Sequence, residues 1–214
     1  MTIGHRVFTA FAFAFALAAA TPALAGPPLL CHPYEIGSAR SLPWDGKAGW
    51  SQGRTDYPLQ QLTADTEAIL QPGTPVVVRM ETLRRAAIYA SQDPAVASAL
   101  LDTLSAKARA DHADGVAALD AAYLIGALHQ VAMLEQSSEF RGRVAGVKRV
   151  LAGRDAGPFV TQAVQARPSD PAFAFAAALI TMGKDKQAYA AYVARARAGA
   201  SQDALLARNI DHVS

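Results

Sequence analysis

A single cysteine, Cys31, stands among the 214 residues. An intramolecular disulfide is thereby excluded, and the fold has to stand on packing alone. An excess of charge of one sign is lacking as well: 20 Lys and Arg are set against 18 Asp and Glu, for a formal net charge of +2. Nucleic-acid-binding domains show a strongly basic, clustered surface, whereas here both signs are interspersed along the chain, so no nucleic-acid partner is expected. The sequence also holds no Gly-x-Ser-x-Gly elbow, no phosphate-cradling glycine loop, no His-Glu-x-x-His helix and no paired-cysteine knuckle. Each is a local arrangement that a particular chemistry requires. None of those chemistries is signalled, no cofactor is expected, and the balance falls towards a protein that is not an enzyme.

What is there begins with a leader. His5 and Arg6 precede an apolar run over residues 7–20, followed by Thr21-Pro22-Ala23-Leu24-Ala25 and then Gly26. That order is a basic n-region, an apolar h-region and an Ala-x-Ala cleavage site, so a signal peptide over residues 1–25 and a mature start at Gly26 are expected. The run falls short of the roughly 20 apolar residues a bilayer span needs. Pro22 sits where such a helix would have to continue, so no stable membrane insertion is expected once the leader is removed. The expected location is periplasmic or secreted. Cys31 is not placed for lipid attachment, because Leu30 precedes it where a small residue is needed. Residues 26–214 are enough for one domain with a sizeable core.

Two regions follow, an aromatic, loop-rich segment over residues 26–73 and helical hairpins over residues 74–214. The first carries Trp44, Trp50, Tyr34 and Tyr57. Only residues 59–70 show a helical period, through Leu59, Leu62, Thr66 and Ile69. A solvated linker would carry fewer aromatics, so this segment is expected to pack across the helices. In the second region Thr74-Pro75, Asp93-Pro94 and Asp170-Pro171 each place a capping side chain beside a proline at a helix start. Val76, Met80, Leu83 and Ala87, then Ala97, Leu100, Leu101, Leu104 and Ala108, give two helices with one apolar face each and predict a hairpin. Residues 116–134 are apolar nearly all round, which predicts a buried central helix. Further helices are expected over residues 140–151, closed by Gly153, from Gly157-Pro158 to about residue 166, over 171–182 before Gly183, and over 186–198 before Gly199. Ser201 is expected to cap a last helix through Leu205, Leu206 and Ile210.

Residues 159–198 resemble a tetratricopeptide-type repeat, a family of paired antiparallel helices on a period of 34. With Ala163 and Pro168 on the family's late Ala and closing Pro, Ala178 and Ala190 fall on its small packing positions. Ala174 and Arg197 stand where the family carries Trp and Ala. The resemblance covers one and a half units and implies an all-α array of antiparallel helical hairpins, TPR-like or an irregular bundle, whose curved surface meets a peptide or protein partner. Residues 29–44 also look like a stretch of uncharacterised exported bacterial proteins, a likeness that implies no activity.

Chemistry is most plausible at Cys31-His32, the one adjacent pair of soft ligands, where thiolate and imidazole would suit copper(I), zinc or a haem iron. A c-type haem site needs a second cysteine where Pro28 stands, so at most one thioether could form there. The bland alternative is a packed, inert cysteine. His112 lies between Asp111 and Asp114 in a turn, His129 on the central apolar helix and His212 in the tail. Arg84, Arg85, Arg195 and Arg197 read as polar helix faces. Arg141, Arg143, Lys148 and Arg149 form the densest basic patch, with Glu139 the nearest counter-charge in sequence. Two functions therefore stand side by side: a non-enzymatic scaffold for a peptide or protein, and a metal-, haem- or thiol-redox-associated protein using Cys31 and His32.

Overall fold

The computed structural model describes residues 28–45 and 49–213. The expected leader and its cleavage site lie outside the described residues. The architecture is all-α: among the described residues there are nine α-helices, three 3-10 segments and no strand. The helices are α1 (Leu62–Ile69), α2 (Val76–Ala90), α3 (Pro94–Ala110), α4 (Gly115–Ala132), α5 (Arg141–Val150), α6 (Gly157–Ala166), α7 (Pro171–Thr181), α8 (Lys186–Gly199) and α9 (Ala204–Asn209).

Aspartates start five of them. Asp93, Asp114, Asp170, Asp185 and Asp203 each accept hydrogen bonds from first-turn amides that the helix itself leaves unpaired. Two expected starts are different. Thr74 does not cap α2: its hydroxyl donates to the Ile69 carbonyl at 2.6 Å, closing the end of α1, and α2 begins after Pro75. Ser201 lies in the 3-10 segment Ala200–Gln202, and Asp203 caps α9 in its place, because its carboxylate reaches the amides of Leu205 and Leu206.

Helix α4 is the axis of the molecule. It packs against α2, α3, α5, α6 and α7, which is why it is apolar on every side. By length and composition alone it could cross a membrane, but 83% of that stretch is buried inside the protein. α3 packs mainly on α4 and only lightly on α2, so the expected α2–α3 hairpin is the looser pairing. α7 and α8 form the most extensive hairpin, with α7 almost wholly buried and α8 contributing only Ala196 to the core. Within that hairpin Ala178 is fully buried while Ala190 is exposed, so Ala190 is not a packing position. The close approach lies at Gly199, where a Cβ would come within 2.5 Å of Pro171.

Helix α2 departs most from the sequence expectation of a single apolar face. Of its 15 residues 13 are buried, including Arg79, Glu81 and Arg84. One side meets α4, and residues 28–45 and 49–57 cover the other. Leu29, Leu30, Tyr34 and Leu42 join the common core. Trp50 stacks on Phe140 at 5.8 Å, and Trp44 and Tyr57 both lie against Tyr89. The aromatic segment therefore packs as expected, each large apolar side chain bringing about 1.5–3 kcal/mol of burial. Close approach is built in at Gly126, where a Cβ would stand 2.9 Å from a Leu29 methyl, and at Gly53, where it would meet the Tyr89 ring at 2.4 Å.

Candidate functional site

The arginines of α2 hold the N-terminal segment down. Glu81 lies within the α2 interface, its side chain 1% exposed. It accepts from Arg84 at 2.7 and 2.9 Å, from Arg85 at 2.6 Å and from the Tyr34 amide at 3.0 Å. Burial alone would push its carboxyl up, yet the Arg84 hydrogen bonds and charge, with Arg85 and the Tyr34 amide, hold it below the usual range. Arg84 then donates to the carbonyls of Leu30 and Trp50, Arg85 to that of Leu42, and both guanidiniums lie over the Trp44 ring. The expectation of a polar face at Arg84-Arg85 is overturned. Arg84 is fully buried because an extended segment with unpaired carbonyls needs donors, and a guanidinium supplies several at once.

Cys31 and His32 sit at the edge of this segment, both half-buried. Burial pushes the Cys31 thiol up to about 11, against the pull of Arg84, so thiolate is scarce at neutral pH. The His32 ring meets the His212 ring edge-on at 5.9 Å, and His212 also stacks on Tyr34 at 5.0 Å. His32 Nε2 and His212 Nδ1 are buried and have no protein partner. Burial and the neighbouring His32 push His212 below its ordinary value. No group of three or more metal-ligating side chains gathers among the described residues. Nothing local to either residue signals that the tail brings His212 to His32.

The other marked residues have local roles. His112 is exposed, Asp111 accepts from the Ala113 amide, and Asp114 caps α4. His129 is half-buried with Nε2 3.4 Å from the Arg154 carbonyl. Arg195 donates to the Pro168 carbonyl and Arg197 to that of Val213. In the basic patch Arg141 and Arg149 are exposed, Arg143 lies over the Phe140 ring, and Lys148 pairs with Glu135 at 3.3 Å. Glu139 is therefore not the partner that Lys148 takes.

A second buried carboxylate, besides Glu81, went unmarked in the sequence. A cleft of about 440 Å³ opens between α1, α2, α3 and α4, with Arg167 at the end of α6 on its wall. Asp120, from the middle of α4, lines it with a side chain only 6% exposed. Its Oδ2 accepts from Arg79 at 2.5 Å, while its Oδ1 has no protein partner. Arg79 is held in turn by the carbonyls of Thr74 and Gln71. Burial pushes the Asp120 carboxyl up to about 7, against the attraction of Arg79. Of the other charged lining residues, Lys107 pairs with Glu67 at 2.5 Å and Asp114 is occupied by its cap. A perturbed carboxylate with a buried, unpartnered oxygen on the wall of a cleft is the most site-like feature of the described residues. The signal in the sequence was the lone acid within α4, the only Asp, Glu, Lys or Arg between Gly115 and Ala132.

Comparison with protein-family models, with curated proteins and with solved structures finds no match in any of the three.

Proposed function

We propose that the protein is an exported, non-enzymatic helical scaffold that binds a peptide or protein partner in the cleft between α1, α2, α3 and α4. The observation that carries the reading is the cleft itself: it is walled by helices from several hairpins and lined by side chains of both charge signs. Such a lining suits polypeptide, which presents amides, carbonyls and charges of both signs in alternation. The thiol of Cys31 is pushed up by burial, away from the thiolate that nucleophilic or redox chemistry uses. Selection of a displayed random-peptide library on the protein lacking residues 1–25 tests the reading. Enriched sequences should bind, and binding should fall when Lys107→Glu and Arg167→Glu are introduced together at the cleft wall. A library that yields no binder, or binders indifferent to both substitutions, would overturn it.

A further inference from the structure

We propose that the cleft reads a primary ammonium group, that of a peptide's amino terminus, at the buried, unpartnered Oδ1 of Asp120. The inference rests on the reading of the cleft as the peptide site and names the chemistry it selects. A buried carboxylate is stable when both oxygens are engaged. Here the protein engages one, through Arg79, and leaves Oδ1 without a partner beside a cleft. The missing partner is a donor. The neighbouring donors are committed elsewhere, Arg79 to the Thr74 and Gln71 carbonyls and Lys107 to Glu67. A ligand ammonium supplies N–H groups and a positive charge together, giving the stronger charge-assisted bond. Among the described residues Arg167 is the one cation of the lining with neither an ion pair nor a side-chain hydrogen bond. It stands ready for an acceptor further along the ligand, a peptide carbonyl or carboxylate. An amino terminus followed by a carbonyl carries both groups in that order, whereas an anion would meet the carboxylate and be repelled.

The test uses calorimetric titration of the protein with tri-alanine, with N-acetyl-tri-alanine, and with an N-acetylated tripeptide amide carrying a central lysine. Tri-alanine should bind about tenfold or more tightly than its acetylated form, the fold-change that loss of one charge-assisted hydrogen bond brings. Recovery of binding in the lysine peptide would support a side-chain ammonium as the source, and its failure would support the amino terminus. Asp120→Asn, checked for folding by circular dichroism, should lower tri-alanine affinity by the same factor. The unsubstituted protein decides the matter as well. An ammonium stabilises the ionised carboxylate, so at about pH 6 binding should release a proton and the heat should vary with the ionisation enthalpy of the buffer, whereas above about pH 8, where the free amine has itself lost much of its proton, binding should take one up. Equal binding of free and acetylated peptides, or no proton release, would overturn the inference and leave the peptide-binding reading standing. If none of the three peptides binds and the library selection fails, both fall.

Discussion

At the scale of the residue, two buried carboxylates on neighbouring helices titrate in opposite directions. Glu81 is held below its ordinary 4.5 in the folded chain, so its contribution is complete above that value and is lost as pH falls through the folded one. Glu81→Gln should leave Arg84 and Arg85 without their counter-charge and cost about 3–5 kcal/mol, the usual penalty for breaking a buried pair from one side. Denaturant unfolding at neutral pH measures it, and a loss below about 1 kcal/mol would mean that the carbonyls of Leu30, Trp50 and Leu42 suffice for the arginines. Asp120 is raised from 3.8 to about 7. The folded state holds its proton more tightly, so what it contributes in acid is lost as pH rises through 7. The melting temperature of Asp120→Asn relative to the unsubstituted protein should therefore rise between about pH 5 and pH 8, and a fall would reverse the assignment. Neither role was legible in the sequence. Arg84 looks like a solvent-facing charge, and Asp120 a lone acid without a partner, until chain from 30 or more residues away is in place.

At the scale of the element, the helices of residues 74–214 were legible because local chemistry specifies them. Asp93, Asp170 and Pro171 mark starts whatever the tertiary context. Asp93→Ala should lower stability by about 1 kcal/mol, within a range of about 0.5–2, and an unchanged denaturation midpoint would argue that the Ala95 amide finds water as good a partner. Thr74 misled because a hydroxyl before a proline has two uses, capping the next helix or closing the last one, and only the turn between α1 and α2 decides. Ala190 misled for a related reason. Small residues are permitted at a close helix contact and equally at an exposed site, whereas Gly199 is required where Pro171 presses on it. The single-faced pattern assigned to α2 failed because its second face is covered by a segment whose aromatics carry no helical period.

At the scale of the whole molecule, that segment is a structural part of the protein. Limited proteolysis should leave residues 28–57 intact while exposed turns are cut, and native Trp44 and Trp50 emission should be blue-shifted relative to the unfolded chain. Rapid loss of the segment would contradict the packing. Its far anchor is Asn209, fully buried in α9. The Asn209 amide accepts from the Glu35 amide at 2.8 Å and donates to the Glu35 carbonyl at 3.0 Å. Asn209→Ala should cost about 1–3 kcal/mol by leaving the Glu35 N–H and carbonyl without these partners, and a thermal midpoint within error of the unsubstituted protein would show that water replaces them. The clasp joins residues 174 apart in sequence, which sets an order of events. A chain delivered from its N-terminal side onward presents Leu29 and Leu30 well before Asn209. Until then the pair that fastens the front of the chain has only one half present. Before α9 is present the opening segment would hold to α2 through Arg84 and Arg85 but lack its second fastening, so the two attachments close one after the other and not together.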